Sequence, residues 1–376
     1  MLQKRPCPPI NTIEAKIKWT YIRFPLLVIL MLAQRYMDKP AIVVWEMTRA
    51  CRLACIHCRA EATPSLDGRE LDTQEARRLI DDVAACGARL LILTGGDPSR
   101  RKDLPTLIEH AATLGLRVAL SPSATPDFLK LDPHVLKAAG VARVSFSLDG
   151  ADADAHNAFR GVPKAWEWTH QCLDRLRSAE LPFQINTTIT AGNIGDINRI
   201  AETVVGLEPE GWTVFIVVPT GRAEKSLLPA AEDLENFFYE LWQFSRAVPF
   251  EVKTTEGQHF RRIALQHGGR TGGKHSPTAA GINDGKGFVF VSHRGDVQPS
   301  GFLPLRGGNI RRRPMSEIYR ESPLFQQLRN PSLLKGKCGR CEFNNVCGGS
   351  RARAFGMTGD YLAQEPLCAY QPASHD

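Results

Sequence analysis

The sequence lacks an apolar segment long enough to cross a lipid bilayer. Its most apolar stretch, PLLVILMLA at residues 25–33, has nine residues, whereas a transmembrane helix needs about 20. Basic residues precede this stretch as in a signal peptide, but no small-x-small cleavage pattern follows it. We therefore expect residues 1–40 to form an N-terminal arm, or translation to begin at Met37, and we expect neither a membrane span nor export.

Strong charge and nucleic-acid-binding motifs are also missing. The chain has 47 Lys and Arg residues against 40 Asp and Glu residues, a net charge of +7. It carries no zinc-finger, helix-turn-helix or RNA-binding signature. This mild basic balance gives no reason to expect a nucleic acid partner and favours a small molecule or peptide with acidic groups.

The cysteines are not distributed as in a secreted protein held together by disulfides. Of the ten cysteines, three lie within residues 51–58 and four lie between residues 338 and 368, which leaves Cys7, Cys86 and Cys172 scattered. Cysteine clusters in a large chain are typical of metal sites in a reducing compartment. We therefore expect a cytoplasmic protein with two metal sites.

The first cysteine set has the spacing C-x3-C-x2-C, from Cys51, Cys55 and Cys58 in the run CRLACIHC. Soft thiolates select iron–sulfur clusters, zinc or copper(I), and zinc motifs usually come as paired C-x2–4-C units. Three ligands leave a four-coordinate site open. The spacing therefore favours a four-iron cluster in which one iron is free to hold a reactant, with His57 as a spacer within the motif.

Short β-branched runs alternate with longer amphipathic ones. The β-branched runs predict six strands, each followed by a helix, at residues 41–48, 89–96, 117–123, 143–150, 182–190 and 212–220. This alternation indicates an α/β fold whose parallel sheet curls into a partial (β/α)6 barrel over residues 41–250. Residues 251–285 lack clear periodicity and are expected to form a linker. Residues 286–376 are expected to form a loop-rich extension that begins with a hairpin and carries the second cysteine set.

Polar residues and glycines follow the predicted strands. They occur as GGDP at 95–98, SPS at 121–123 and SLDG at 147–150. In β/α barrels the chemistry lies at the carboxyl ends of the strands. The cysteine motif follows the first strand, so we expect these segments to surround it.

These motifs together resemble those of the radical S-adenosylmethionine (SAM) enzymes, and the resemblance covers residues 41–370. It implies that Cys51, Cys55 and Cys58 hold a 4Fe–4S cluster whose open iron chelates SAM. One electron then breaks a C–S bond of SAM and gives a 5′-deoxyadenosyl radical, which takes a hydrogen atom from the substrate. The resemblance also implies a reductant of the flavodoxin or ferredoxin type.

The same resemblance suggests which residues contact SAM. Gly95, Gly96 and Asp97 stand where the family has Gly-Gly-Glu, and glycines there let backbone carbonyls approach the SAM ammonium group. Aspartate in place of glutamate weakens a role for the Asp97 side chain. The other contacts implied for the ribose, carboxylate and adenine of SAM are Ser147, Arg160, Asn186 and Val218.

The second cysteine set has the spacing C-x2-C-x5-C-x20-C, from Cys338, Cys341, Cys347 and Cys368. Four thiolates close a coordination shell. The set resembles the SPASM extension of radical SAM enzymes, in which further cysteines near the preceding hairpin allow two clusters. That hairpin has no cysteine here, so we expect one auxiliary 4Fe–4S cluster, with zinc as the alternative.

Two stretches point to a reaction. Residues 291–309 and 341–360 resemble the radical SAM subgroup that trims porphyrin side chains in haem biosynthesis, where a propionate arm loses a hydrogen atom and then carbon dioxide, or the whole arm departs. The arginines expected to hold tetrapyrrole carboxylates are Arg306, Arg311, Arg312, Arg313, Arg351 and Arg353. The main alternative is maturation of a ribosomal peptide by cross-linking or dehydrogenation, and a remote one is a non-catalytic iron–sulfur or zinc protein.

Overall fold

The computed structural model describes residues 36–268 and 282–373. The apolar stretch at residues 25–33, and with it the question of the N-terminal arm, lies outside these ranges. Within them, every helix is too short or too polar to span a membrane.

One ten-stranded sheet organises the chain. Its strands are β1 Ile42–Glu46, β2 Leu90–Thr94, β3 Arg117–Leu120, β4 Val141–Ser147, β5 Phe183–Ile189, β6 Gly211–Ile216, β7 Glu251–Thr255, β8 Phe288–Val291, β9 Asp296–Gln298 and β10 Gly308–Asn309. They lie in the order β10-β9-β8-β1-β2-β3-β4-β5-β6-β7, and every pair from β8 to β7 is parallel. The predicted α/β class is confirmed, and the sheet ends in two open edges, as a partial barrel requires.

Thirteen α-helices of the described ranges connect or flank the strands. They are α1 Thr73–Ala85, α2 Leu104–Thr113, α3 Pro126–Leu129, α4 Pro133–Ala138, α5 Ala153–Arg160, α6 Ala165–Ser178, α7 Ile197–Leu207, α8 Ala231–Ala247, α9 His259–Gln266, α10 Met315–Glu321, α11 Pro323–Arg329, α12 Gly336–Arg340 and α13 Arg351–Thr358.

Helix α1 shows how local sequence sets these elements. The Asp72 side chain accepts a hydrogen bond from Glu75 N (2.7 Å), and the Glu75 side chain accepts one from Asp72 N (3.0 Å), which closes a capping box. Buried residues recur at intervals of three and four: Ala76, Leu79, Ile80 and Val83. This spacing gives the helix one apolar face for the sheet.

The structure adds a seventh parallel strand and a helix, β7 and α9, in residues 251–268, where the sequence favours a linker. In β7 only Val252 is buried, so the strand has no apolar alternation to reveal it. The hairpin β8–β9 also joins the main sheet, because β8 pairs in parallel with β1. The domain boundaries stay predictions.

Candidate functional site

The carboxyl ends of the parallel strands meet at the cysteine loop, residues 51–58. Backbone hydrogen bonds join this loop and its entry to three segments that follow strands: Asp97 N to Ala50 O (2.8 Å), Ala54 N to Arg160 O (3.1 Å) and Arg222 N to Cys58 O (3.0 Å). The loop is therefore held by the segments that follow β2, β4 and β6.

Each sulfur of the loop accepts a hydrogen bond. Leu53 N donates to Cys51 Sγ (3.3 Å), Arg160 Nη1 to Cys55 Sγ (3.5 Å) and Ala62 N to Cys58 Sγ (3.5 Å). Cys51 and Cys55 are only 6% and 8% exposed, and burial raises the pKa of Cys51 to about 11 and also raises the pKa of Cys55. These thiols are thus protonated at neutral pH unless a metal centre replaces the proton.

A buried ion pair lies directly beside Cys55. Arg160 Nη2 donates to Asp149 Oδ2, and Asp149 Oδ1 also accepts from Thr188 N (2.7 Å). The Asp149 side chain has no exposed surface; burial raises its pKa, and Arg160 opposes that effect. Because Nη1 and Nη2 of Arg160 are both engaged, only Nε of this guanidinium is without a partner in the described structure.

Gly161 holds the end of α5 against the cysteine loop. Its φ is +69°, and a Cβ there would lie 2.6 Å from Ala54 O. We expect Gly161→Ala to lower the free energy of unfolding by about 1–2 kcal/mol for the left-handed backbone, with a further loss of about 1–3 kcal/mol from the close contact.

The matched control is Gly115→Ala, because Gly115 has a φ of +80° but no atom within 4 Å of the added Cβ. Denaturant unfolding of the iron-free proteins measures both changes. An equal loss at the two positions would contradict the tight contact of Gly161 with the loop.

Comparisons with known proteins agree with this geometry. The family model of the Radical SAM superfamily matches residues 45–204. An AdoMet-dependent heme synthase of Methanosarcina barkeri is 40% identical over 345 residues, which are 89% of this chain and 98% of that protein. The chain belongs to the radical SAM superfamily. This confirms the resemblance read from the cysteine motif and the strand ends.

Two further matches extend the comparison. An AdoMet-dependent heme synthase of Nitratidesulfovibrio vulgaris is 42% identical over 345 residues, covering 88% of this chain and 92% of that protein. The crystal structure of Streptococcus suis SuiB bound to S-adenosylmethionine aligns with a TM-score of 0.68 at 14% identity, over 91% of this chain and 80% of that one. The fold is thus shared with radical SAM enzymes, which use a 4Fe–4S cluster and SAM.

In this radical SAM enzyme the Gly-Gly-Asp segment packs against the entry to the cysteine loop. A Cβ at Gly96 would lie 2.5 Å from Arg49 O and 2.6 Å from Ala50 O, so the close approach that these glycines permit is to the protein's own backbone. The Asp97 carboxylate is fully buried and accepts from Thr125 Oγ1 (2.6 Å) and Ser99 N (3.1 Å). The Asp97 side chain is therefore used in hydrogen bonds within the protein, which agrees with the weaker role in SAM binding expected for aspartate in place of glutamate.

Of the other residues expected to contact SAM, Arg160 ends helix α5, and the rest lie on β4, β5 and the segment after β6. Ser147 and Asn186 are register partners on neighbouring strands, and both are partly exposed. Val218 is 2% exposed and packs in a small apolar cluster that includes Leu303 and Ala352. Its side chain is therefore turned into the core, and any contact with SAM would come from its backbone. These SAM contacts stay predictions.

The second cysteine set lines a small cavity that is partly open to solvent. The cavity is lined by Cys338, Cys341, Cys347 and Cys368, together with His259, Arg262, Glu365 and Tyr370. Burial raises the pKa of Cys341 to about 11 and of Cys347 to about 12. As at the first set, these thiols need a metal centre to ionise at neutral pH.

Neither cysteine set is arranged around one point. Over residues 36–268 and 282–373, no three Cys, His, Asp or Glu side chains converge closely enough to hold a single metal ion. A four-iron cluster makes a different demand, because each cysteine binds its own iron and the ligand sulfurs stand apart.

The arginines expected to hold carboxylates do not share one site. Arg351 and Arg353 are 2% and 0% exposed, and Arg353 forms a buried ion pair with Glu365 (2.8 Å). Arg306, Arg311 and Arg313 pair with acidic side chains at the surface. The sequence does not show which arginines are paired, because a run of basic residues has the same pattern whether or not the fold brings acidic partners to it.

A different arginine has unused donors beside the cysteine loop. Nε and Nη2 of Arg222 are buried and without a hydrogen-bond partner among the described residues, as is Nδ1 of His57. Burial lowers the pKa of His57 well below its usual value, and the charges of Arg160 and Arg222 lower it further. The charges of both arginines thus act on His57, and the unused donors of Arg222 suit an anion. The only sequence signal for Arg222 is its position after Pro219-Thr220-Gly221 at a strand end.

Proposed function

We propose that this radical SAM enzyme acts in haem biosynthesis and removes carbon dioxide from propionate side chains of a tetrapyrrole. The supporting observation is the identity of 40–42% over 88–89% of the chain with proteins named AdoMet-dependent heme synthase. In the proposed step the arm R–CH2–CH2–COO⁻ loses a hydrogen atom, CO2 and one electron and becomes a vinyl group. A related reaction removes the whole propionate arm, and analysis of the product distinguishes it from decarboxylation.

Cys51, Cys55 and Cys58 would hold the SAM-binding 4Fe–4S cluster, and the four cysteines of the second set would hold one auxiliary 4Fe–4S cluster. The donor sets fit, since three thiolates leave an open iron and four close the shell. The bound clusters supply the electron for SAM cleavage and a means of accepting the electron left on the substrate. A flavodoxin- or ferredoxin-type protein of the cytoplasm is the proposed reductant.

The chain's own residues would orient the substrate. Arg160 is committed to Asp149 and Cys55, so Arg222 is the cation beside the cysteine loop with two donors to spare. We assign it to a propionate carboxylate, for which a planar guanidinium is suited. Carboxylate binding next to the cysteine loop would hold the neighbouring CH2 group close to the site of radical formation.

The test is anaerobic reconstitution with iron and sulfide, followed by dithionite, SAM and an iron porphyrin that carries propionate arms. We expect 5′-deoxyadenosine, CO2 and a porphyrin with vinyl groups in place of propionates, identified by mass spectrometry. SAM cleavage without any change in the porphyrin would overturn the tetrapyrrole proposal and leave the radical SAM assignment standing.

Arg222→Gln should weaken substrate binding selectively. Loss of charge-assisted hydrogen bonds to a carboxylate costs about 1.5–3 kcal/mol, or about a 10- to 100-fold rise in KM for the porphyrin. SAM cleavage without porphyrin should be unchanged. Arg306→Gln is the matched control, because Arg306 pairs with Asp296 (2.7 Å) and is half exposed. An equal loss of SAM affinity in Arg222→Gln would assign the residue to SAM instead.

Peptide maturation is the second candidate function. SuiB, which has been crystallised with the precursor peptide SuiA, shares the fold with a TM-score of 0.69. At 14% identity that likeness concerns the fold alone, whereas the haem synthases match at about 40%. The porphyrin assay above separates the two functions.

A further inference from the structure

Helix α9 presents two side chains to the cavity of the second cysteine set. His259 and Arg262 are one helical turn apart, which places them on the same face. Both line the cavity, and they are only 1% and 2% exposed. Nothing in the spacing of the cysteines draws attention to either residue.

Both residues have unused polar atoms. The two ring nitrogens of His259 and Nε of Arg262 are buried and have no hydrogen-bond partner within the described part of the chain. The pKa of His259 is lowered by burial, so its ring is neutral and has one N–H, which leaves one spare donor on each of the two residues. An unsatisfied buried donor costs about 1–3 kcal/mol, so these two donors call for a bound group that accepts hydrogen bonds.

Arg262 is fixed by its other nitrogens. Nη1 donates to Gln266 Oε1 (2.7 Å) and Nη2 to Glu235 Oε1 (2.7 Å), while the guanidinium lies over the Tyr370 ring at 4.5 Å. His259 packs against Phe238, with ring centroids 5.4 Å apart. Both side chains are therefore held in place at the wall of the cavity.

We propose that His259 and Arg262 donate hydrogen bonds to sulfur atoms of the auxiliary cluster and raise its reduction potential. This inference depends on the proposed function, since it requires that the four cysteines hold a cluster. The four cysteines already close the ligand shell, so these two residues would act by hydrogen bonding to the cluster and not as iron ligands. Hydrogen bonds to cluster sulfurs stabilise the more negative, reduced state. A higher potential would favour transfer of the substrate's leftover electron to this cluster.

The experiment uses the full chain with Cys51, Cys55 and Cys58 replaced by alanine, so that the second set alone binds iron. In this background we expect about four irons per chain. An EPR-monitored redox titration then compares His259→Phe, which keeps an aromatic ring, with His267→Phe, which changes a histidine that contacts Trp242 and Tyr239.

We expect His259→Phe to retain its iron and to show a reduced-to-oxidised ratio of the auxiliary cluster about tenfold lower at a fixed ambient potential. For a one-electron couple this ratio corresponds to a reduction potential about 59 mV lower. His259→Gln, which restores an N–H, should recover part of the shift. Arg262→Lys keeps the charge opposite Glu235 but removes Nε, and it should shift the ratio in the same direction. His267→Phe should leave it unchanged.

Three results would overturn the inference. An unchanged potential in His259→Phe with a full iron content would exclude the hydrogen bond. Loss of iron from both His259→Phe and His259→Gln, with iron kept in His267→Phe, would make His259 a ligand or a structural residue. Absence of iron from the background protein with His259 intact would remove the auxiliary cluster itself, and with it this part of the proposed function.

Discussion

Replacing Cys55 with alanine should abolish SAM cleavage and halve the iron content. The Cys55 sulfur is buried and accepts a hydrogen bond from the buried Arg160. Two remaining cysteines cannot hold a cluster of four irons firmly enough for catalysis, whereas the second set is untouched. Anaerobic reconstitution should therefore give about four irons per chain in place of about eight, and no 5′-deoxyadenosine above background on addition of dithionite and SAM.

Cys172→Ala is the matched control for this experiment. Cys172 is also buried and free, but it lies on α6 and belongs to neither cysteine set. Its replacement should leave both the iron content and the yield of 5′-deoxyadenosine unchanged. Sustained SAM cleavage by Cys55→Ala would refute the assignment of the first cysteine set, and a loss of all iron would show that the two sites do not load independently.

The strands that surround the site could be predicted because their apolar pattern is local. The runs at 41–48 and 89–96 contain β1 and β2, and each is followed by its glycine or cysteine segment. Strand β7 has a single buried residue, Val252, and gives no such signal. The parallel pairing of β8 with β1 joins residues about 250 positions apart, and no local pattern encodes a pairing of that kind.

The site residues likewise fall into those that the sequence reveals and those that only the structure reveals. Spacing reveals the seven cysteines, because ligands to one centre must come from short loops or return to one place. The roles of Arg222 and His259 rest on donors that have no partner, which is a property of the packed structure. Conversely, the sequence suggests that Arg353 is free to bind a substrate carboxylate, whereas in the structure it is paired with the carboxylate of Glu365.

Breaking the buried pair of Arg353 and Glu365 should destabilise the protein strongly. Their side chains are 0% and 1% exposed and share two hydrogen bonds, of 2.8 and 3.1 Å. Removal of one member leaves the other charge buried and unpaired, which costs about 3–5 kcal/mol. Denaturant unfolding of iron-free Arg353→Met should show this loss at pH 7. Arg199→Met removes an exposed pair with Asp152 and should cost no more than about 1 kcal/mol.

The pH dependence gives an independent check on the same pair. Burial raises the pKa of Glu365, but the nearby positive charge, chiefly that of Arg353, and the hydrogen bonds from Arg353 and Leu367 N together outweigh that effect and hold the pKa at about 2. A carboxyl group with a lowered pKa in the folded state stabilises the protein above its unfolded pKa of about 4.3, and this contribution disappears as the pH falls towards 2. The difference in stability between the wild-type protein and Arg353→Met should therefore shrink as the pH falls from about 7 towards 2. Above about pH 4 it shrinks because Glu365 of the variant, buried without its partner, takes up a proton, and below about pH 4 because the wild-type protein loses the contribution of its ionised Glu365. A double variant, Arg353→Met with Glu365→Leu, should recover part of the loss, because it removes both buried charges. The alternative outcome is a loss of unfolding free energy equal to the sum of the losses of the two single variants, which would show that the two residues act separately. Glu365 would then owe its position to the second cysteine set, where its backbone N–H donates to Cys338 Sγ (3.3 Å).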